Sequence, residues 1–539
     1  MATVWHAFYD VLRHYGMTTM FGNPGSTEQS MLQNFPDDFR YIFGLQEASV
    51  LAMAGGFAEA TRKPVLVSLH TSPGTGNAMG NLVTAFITRV PLVIVAGQQR
   101  REMLLGEPML ANRDAAMLPR PYVKWSYEPV RAVDVPSAIV RAISTAMQPP
   151  MGPVYVSVPW GDWNERMGDV TVLYRSVSTR FGPDPARLKM FADKIRACKK
   201  PALVLGGEVD RSLAWPQAVK LAETLQCPTF QAPMAERAVF PETHDLFRGP
   251  LPTAQAPLAE YLKPFDLVLV VGAEVFRYYP WVPGPVLYGS LLQITEDPHD
   301  AAKALMGDSL LSDVGLALDG LNDLLKDVKR TATQHPHHRQ DILDAHPSAQ
   351  TMTAFDAFSI VAALRPADAI LVYETPSNSA DLLHAWPSTV PESCFTFASG
   401  GLGWNAPSAV GIALAQKSTG RVTVAVIGDG SFQYSLQSIY TAVQQKVKLI
   451  YLIPVNEQYA VLKEFAVLEE TPNVPGLDIP GLNISATALA FGCPAYRAHN
   501  GAELKEYFLK ALNDDGPSLI EFPIDRTLRP LIAQTASGA

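Results

Sequence analysis

Val424-Ala425-Val426-Ile427-Gly428-Asp429-Gly430-Ser431 decides the reading of this chain. An apolar, mostly β-branched run ends in Gly-Asp-Gly-Ser and a helical pattern begins, which predicts a buried strand with an acid at its carboxyl end. Ligands of open α/β sheets bind at that end of the strands. The glycines let backbone approach a ligand, and the following helix would offer free N–H groups and its positive dipole end to an anion. Alone, Gly-Asp-Gly is also what an ordinary strand-to-helix turn looks like. Working outward, Val65 to Leu69, Leu92 to Ala96, Val154 to Val158, Leu267 to Val271, Leu449 to Ile453 and Ser518 to Phe522 read as further buried strands, and the first strand itself extends back to Val422. Helical pattern lies between them, so the fold class is α/β, with parallel sheets covered on both faces.

Two stretches interrupt this alternation. Met167 to Pro185 loses its apolar period and contains Gly182-Pro183-Asp184-Pro185. Arg330 to Ala349 is polar and contains His335-Pro336-His337-His338. Both read as linkers. The histidine group lies in a linker without a cysteine partner and is not read as a metal site. The cuts divide the 539 residues into three α/β domains, 1–180, 181–335 and 345–530, sizes that a single core can fill. Ala54-Gly55-Gly56-Phe57-Ala58 echoes Ser408-Ala409-Val410-Gly411-Ile412-Ala413. Small residues there suit close helix–sheet approach and suggest two related outer domains.

Composition excludes several functions. With 43 basic and 52 acidic residues the net charge is −9, which argues against nucleic acid or anionic membrane as partner. Charged residues at 18% and aromatics at 9% rule out a largely disordered chain. No apolar run reaches the roughly 18 residues of a membrane span. The first residues, Met1-Ala2-Thr3-Val4-Trp5-His6, have no secretory pattern, and the cysteines Cys198, Cys227, Cys394 and Cys493 are scattered, so a cytoplasmic location is expected. Leu205-Gly206-Gly207-Glu208 is too short a glycine signal to claim a dinucleotide.

Spacing adds to the Gly-Asp-Gly signal. After Gly430 come 24 residues, enough for one helix and one strand, and then Val455-Asn456-Glu457-Gln458-Tyr459. Neighbouring parallel strands would set Asp429 and Asn456 side by side. A carboxylate, an amide oxygen and a backbone carbonyl near Gln458, with diphosphate oxygens and a water, would complete six oxygens around Mg²⁺. A second constellation lies near the N-terminus. Arg40 to Ala48 reads as a strand ending in Glu47, followed by a small-residue helix; by itself Glu47 is equally an exposed first-turn acid on a helix dipole. Phe21-Gly22-Asn23-Pro24-Gly25-Ser26-Thr27-Glu28 is a tight turn that could project Ser26 into a cleft. His70 ends a buried strand ahead of the Gly-rich turn Thr71 to Asn77, where an imidazole can exchange protons near neutral pH.

Gly428-Asp429-Gly430 followed at this distance by an Asn resembles the signature of the thiamine diphosphate-dependent 2-oxo acid decarboxylases. The likeness runs over nearly the whole chain toward those members that act on benzoylformate. It includes Leu118-Pro119-Arg120-Pro121, Val123 to Pro129, Gly152 to Tyr155, Phe276-Arg277-Tyr278 and Asn473 to Asp478. The resemblance implies that architecture and those cofactors, thiamine diphosphate and Mg²⁺. Asp429, Asn456 and Gln458 (through its carbonyl) would hold the metal. Asn23, Ser377, Asn378, Gly428, Gly430, Ser431 and Tyr459 would line the cofactor. Gly400 would accept from its 4′ amine, and Leu402 would wedge between its rings. Glu47 would hydrogen-bond the aminopyrimidine and so activate thiazolium C2, a carboxyl in a dry slot being able to share a proton with a ring nitrogen. Ser26 would bind the substrate carboxylate, His70 would relay protons, and Val461, Leu462 and Phe465 would shape the substrate pocket.

Three positions depart from the pattern. Val455 stands where the family has a first Asn, Pro376 stands where it has a hydroxyl residue, and Tyr279 stands where the decarboxylase has a second histidine. A phenol titrates near about 10 where imidazole titrates near about 6.5, so slower protonation after CO₂ loss would favour attack on an aldehyde. The implied activity is a carboxy-lyase converting a bulky or aromatic 2-oxo acid such as benzoylformate to the aldehyde, in mandelate catabolism, with carboligation alongside. Glu47 and Asp429 would come from different subunits of a homo-oligomer, a dimer of dimers. Two alternatives stay open: a carboligase of acetolactate synthase type, and a cofactor-poor binding or structural relative.

Overall fold

A computed structural model describes residues 2–331 and 352–532. The stretch holding His335 to His338, and with it the expected edge between the second and third domains, lies outside the described residues. The first six strands are β1 (Thr19–Gly22), β2 (Arg40–Phe43), β3 (Val65–Leu69), β4 (Leu92–Gln98), β5 (Trp125–Tyr127) and β6 (Val154–Pro159). They form one parallel sheet in the order β2-β1-β3-β4-β6-β5. Next come β7 (Pro201–Leu205), β8 (Thr229–Gln231), β9 (Phe247–Pro250), β10 (Leu267–Val271), β11 (Ser290–Thr295) and β12 (Asp308–Leu311), ordered β12-β11-β10-β7-β8-β9. The last six are β13 (Ile370–Glu374), β14 (Cys394–Phe395), β15 (Thr423–Ile427), β16 (Leu449–Val455), β17 (Ala495–Arg497) and β18 (Ser518–Pro523), ordered β14-β13-β15-β16-β18-β17. Strands β3, β4, β6, β10 and β15 are buried at every residue, as parallel strands under helices on both faces must be.

The two outer sheets share one strand order, second-first-third-fourth-sixth-fifth, and the central sheet does not. The expectation of two related outer domains from the small-residue echo therefore has a topological counterpart. Its packing reason was different from the one expected. Helix Glu47–Thr61 follows β2, helix Asn405–Ala415 follows β14, and these two helices pack on each other as well as on their sheets. A Cβ on Gly411 would stand 1.8 Å from the Met53 carbonyl oxygen, and one on Gly56 would stand 2.0 Å from that of Ser408. Gly55 leaves room for the buried Trp404 ring, which a Cβ would meet at 2.4 Å. The glycines serve helix–helix contact, backbone against backbone.

Residues 168–184 carry no helix or strand, as the linker reading predicts. The central domain is pinned to the first by buried charges. Arg89 reaches Glu208 at 2.6 Å, Asp297 at 2.9 Å and also Asp300, and Arg237 bonds Asp210 at 3.2 Å beside Glu59. Removing one partner of such a cluster would strand a charge in a dry boundary. Among the described residues no helix is long and apolar enough to cross a membrane.

Gly411→Ala should lower stability by about 3 kcal/mol, because neither facing backbone can yield. Gly80→Ala is the control: in helix Thr71–Ile87 a Cβ there meets nothing within 4 Å, and the change should raise stability by up to about 1 kcal/mol. Calorimetric melting of both variants checks the pair, and equal melting temperatures would contradict it.

Candidate active site

Parallel pairing of β15 with β16 brings their carboxyl ends together. Asp429 follows the first and Asn456 the second. Asn456 N donates to Asp429 Oδ2 at 3.1 Å, Glu457 N donates to the same oxygen at 2.7 Å, and Gly430 N donates to Oδ1 at 2.9 Å. Burial pushes the Asp429 carboxyl above its ordinary value, against the pull of these N–H groups. Among the described residues no Lys, Arg or His forms an ion pair with it, so a buried carboxylate is left with backbone donors alone. That is the environment a divalent cation would complete. Asn456 Oδ1 accepts from Gln458 N at 3.2 Å. The Gln458 side chain is engaged elsewhere, with Arg526 O at 3.1 Å and Lys463 Nζ at 2.9 Å, which leaves its backbone carbonyl as the oxygen it could offer. Among the described residues no group of three or more His, Cys, Asp or Glu is assembled that could hold a metal. One carboxylate, one amide and one carbonyl are the donor set of a hard cation shared with phosphate, and these residues fit it.

The helix expected after Gly430 is shorter than the sequence suggested. A single turn, Asp429–Phe432, is followed by irregular chain and then by helix Ser438–Gln445. Gly430 is required for another reason: a Cβ would lie 2.5 Å from the Tyr459 ring. Ser431 is buried beside it. Ser377 Oγ accepts from Val461 N at 2.9 Å and so ties the segment 376–378, where Asn378 sits half-buried, to the start of helix Ala460–Leu468. Gly428 N donates to Glu374 O at 2.9 Å. Val455 ends β16 half-buried and accepts from Ile524 N at 3.0 Å through its backbone.

The segment Gly400-Gly401-Leu402-Gly403 precedes helix Asn405–Ala415. Gly400 and Gly403 have φ of +75° and +100°, values open to glycine, and Leu402 between them is half-buried. Below it lies Glu374, the last residue of β13. Its Oε1 accepts from Gly403 N at 2.6 Å, and its Oε2 accepts from Trp404 N at 3.1 Å and Asn405 N at 2.8 Å. Burial pushes this carboxyl up to about 7, with the three N–H groups opposing.

On the first sheet, Glu47 is the first residue of its helix and is 8% exposed, so the exposed first-turn acid is not what forms. Asn77 Nδ2 donates to its Oε2 at 3.1 Å. His70 follows β3, and the Gly-rich stretch after it is helix rather than turn: Thr71–Ile87 is continuous. Glu28, 2% exposed, accepts at Oε2 from His70 Nδ1 at 3.0 Å and from Gly25 N at 2.7 Å, and at Oε1 from Thr27 Oγ1 at 2.5 Å. A carboxylate can only accept, so Nδ1 carries the imidazole proton and Nε2 is left free. Gly74 separates His70 from Glu47: a Cβ there would meet both side chains at 3.3–3.4 Å. Ser26 lies exposed on the turn before Glu28, and Asn23 is half-buried. Tyr279, from the central domain, packs its ring against Phe465 at a tilt of 43° with ring centroids 4.8 Å apart, over a helix that also carries Val461 and the exposed Leu462.

The sequence-predicted residues thus fall into two groups. Glu47, His70 and Ser26 gather at the first sheet. Asp429, Asn456, Ser377, Tyr459, Val461, Phe465 and Tyr279 gather at the third. Among the described residues no hydrogen bond or ion pair joins Glu47 or His70 to Asp429 or Asn456. Sequence reasoning assigned no role to Glu28, Asn77 or Glu374. Glu28 had a signal, an acid directly after a tight turn and in a chain whose His70 needs a partner. Glu374, an acid closing the apolar run Ile370-Leu371-Val372-Tyr373, had one too.

A buried carboxylate with backbone donors at the third sheet and a second buried acid at the first are the kind of arrangement found in an enzyme that holds a cofactor through a metal. Three family descriptions match along the chain: the thiamine pyrophosphate enzyme N-terminal binding domain over residues 2–116, the central domain over 188–321 and the C-terminal binding domain over 377–522. The chain belongs to the thiamine pyrophosphate enzymes, and thiamine diphosphate is its cofactor. It is 43% identical to benzoylformate decarboxylase of Pseudomonas aeruginosa over 98% of this chain and 100% of that one. The crystal structure of benzoylformate decarboxylase from Polynucleobacter necessarius superposes with a TM-score of 0.93 at 45% identity, covering 98% and 100% of the two chains. The 4-hydroxybenzoylformate decarboxylase of Rhodococcus jostii RHA1 does so with a TM-score of 0.90 at 38% identity, covering 98% and 100%.

Asp429→Ala should weaken Mg²⁺-dependent retention of thiamine diphosphate by more than about 100-fold, since it deletes the one carboxylate of the donor set. Calorimetric titration after dialysis checks this, with the unaltered chain as reference; full retention by the variant would contradict the assignment.

Proposed function

We propose that the chain is a thiamine diphosphate- and Mg²⁺-dependent carboxy-lyase that converts an aromatic 2-oxo acid such as benzoylformate to the aldehyde and CO₂, as a cytoplasmic step of mandelate catabolism. Bound thiamine diphosphate supplies the nucleophilic carbon and the electron sink that loss of CO₂ requires. The chain's residues divide the remaining work. Asp429 Oδ, Asn456 Oδ1 and the Gln458 carbonyl hold Mg²⁺ against the diphosphate, with Ser377, Asn378, Gly428, Gly430, Ser431, Tyr459 and Asn23 around the cofactor. Glu47, dry and held by Asn77, shares a proton with the pyrimidine ring nitrogen. Ser26 Oγ donates to the substrate carboxylate. His70, its Nδ1 fixed by Glu28, presents Nε2 to the oxygen of the reacting carbonyl and can give or take a proton there. Leu402 and the Gly400 carbonyl orient the cofactor's rings.

The observation that carries the reading is the pair of acid–base groups set one glycine apart, buried Glu47 and Glu28-anchored His70. Shape at the substrate end supports an aromatic acid: Phe465 faces Tyr279, with Val461 and Leu462 on the same helix. The family resemblance, with cofactor groups on both outer domains, supports a homo-oligomer, a dimer of dimers, in which each cofactor lies between domains of two subunits. One observation favours a second product. Tyr279 replaces a histidine, and a phenol delivers a proton less readily near neutral pH. A slower protonation leaves time for ligation to an aldehyde, giving a 2-hydroxy ketone.

Assayed with cofactor and Mg²⁺ on benzoylformate, pyruvate and branched 2-oxo acids, the chain should give its highest kcat/KM on benzoylformate. A preference for pyruvate, or no CO₂ release from any of them, would overturn the reading. With benzaldehyde added, Tyr279→His should raise aldehyde release relative to 2-hydroxy ketone, and an unchanged product ratio would remove Tyr279 from the proton path.

A further inference from the structure

Three consecutive backbone N–H groups converge on one buried carboxylate at the edge of the cofactor site. Glu374 is 1% exposed, and its two oxygens take the N–H groups of Gly403, Trp404 and Asn405 at 2.6, 3.1 and 2.8 Å. These N–H groups open the helix Asn405–Ala415 and come directly after Leu402. The carboxylate does not float: it ends β13, whose neighbour is β15, and its own carbonyl takes the Gly428 N–H at 2.9 Å. One residue therefore touches both parts of the site, with its backbone on the Gly-Asp-Gly turn and its side chain under the Gly400 to Gly403 segment. The same segment is held from the opposite side. Asn81 Nδ2 donates to Gly403 O at 3.3 Å and to Ala48 O at 2.8 Å, and Ser399 Oγ bonds Thr84 Oγ1 at 2.8 Å and accepts from Gly401 N at 3.1 Å. Asn405 closes the arrangement through Nδ2 to Tyr373 O at 2.7 Å.

A segment with two glycines in the left-handed region has little stiffness of its own. Its shape must come from these bonds, and charge-assisted bonds to a carboxylate are the strongest among them. We propose that Glu374 is a positioning residue for the cofactor: by clamping the three N–H groups after Leu402 it sets where the Leu402 side chain and the Gly400 carbonyl meet the two rings, relative to a diphosphate held at Gly428 to Gly430. The inference rests on the reading of the cofactor site given under Proposed function. It assigns no step of the chemistry to Glu374, which lies beneath the segment. A merely structural cap would stabilise the helix start and leave the two ends of the cofactor equally well bound. A positioning clamp makes the ring end depend on Glu374 and leaves the diphosphate end alone.

Glu374→Gln keeps the shape of the side chain but removes the charge and turns one end into a donor facing N–H groups. Two measurements on the full chain test it. Titration with Mg²⁺ and either thiamine diphosphate or inorganic diphosphate should show thiamine diphosphate weakened by about tenfold, and inorganic diphosphate changed by less than about twofold. Amide hydrogen exchange without any ligand should be faster at Gly403 to Asn405 in the variant, and equal to the unaltered chain in β15 and β16. Equal weakening of both ligands, no weakening of either, or unchanged exchange at Gly403 to Asn405 would overturn the proposal. A melting temperature lowered without the difference between ligands would reduce Glu374 to a helix cap and overturn it as well. Failure of the unaltered chain to bind either ligand would instead overturn the reading of the site itself, and the proposal with it.

Discussion

Backbone contact between helix Glu47–Thr61 and helix Asn405–Ala415 is the constraint on which the rest of the molecule depends. Each helix is small on its facing side, and Gly56 and Gly411 bring carbonyl groups of one within reach of the other's backbone. Close approach leaves no freedom to slide, because packed backbones deform far less than interdigitated side chains. Each helix also begins at a functional feature. Glu47 is the first residue of one, and the segment carrying Leu402 runs into the first turn of the other. Locking the pair therefore fixes Glu47 and the segment carrying Leu402, the acid and the ring-shaping segment of the proposed site, in one rigid frame, at equivalent places in two sheets of the same strand order.

The buried acids of the chain sort into two kinds by what satisfies them. Glu208, Asp297, Asp300 and Asp210 meet Arg89 or Arg237 and hold the central domain to its neighbours. Among the described residues, Asp429, Glu374 and Glu47 have only N–H donors from backbone or amide. The distinction matters chemically. An acid neutralised by a guanidinium is committed and has little left to offer. An acid supported only by dipoles keeps its charge available to a cation, since that charge is stabilised but not cancelled. Burial pushes Asp429 and Glu374 above the usual carboxylate range, and the N–H groups around them pull the other way.

Much of this was legible in the sequence, and the limits have physical reasons. Parallel strands are buried on both faces, so their apolar runs stand out without an alternating pattern, and β3, β10 and β15 fell within a residue of where they were read. Asp429 and Asn456 could be paired because one helix and one strand have a predictable length, which survives the break of that helix into two pieces. Thr71 to Asn77 was misread because Pro73, Gly74 and Gly76 are turn formers in general, yet proline is at home in the first turn of a helix. The pairing of the two small-residue helices joins segments about 350 residues apart, and no local pattern encodes such a partner. Glu28 and Glu374 each carried a local mark, an acid after a tight turn and an acid closing an apolar run, but neither mark tells which donors will surround the carboxylate.

On the proposed reading, Tyr279 would separate two tasks that a histidine there would combine. Tyr279 is 58% exposed and packs at a tilt against Phe465, so on the proposed reading its ring adds surface for an aromatic guest at the third-sheet side of the site. What it gives up is a group that titrates near neutrality. On the proposed reading, proton traffic then falls to the first sheet, to Glu47 and to His70 with Glu28 behind it. Shape recognition falls to the third sheet and the aromatic strap laid over it. If, as proposed, the two sheets reach one cofactor from different subunits, the balance between proton delivery and ligation becomes a property of how subunits meet as well as of which residues stand in the pocket. A chain built this way can change its substrate through Tyr279, Leu462 or Phe465 while the groups that move protons stay where the paired helices hold them.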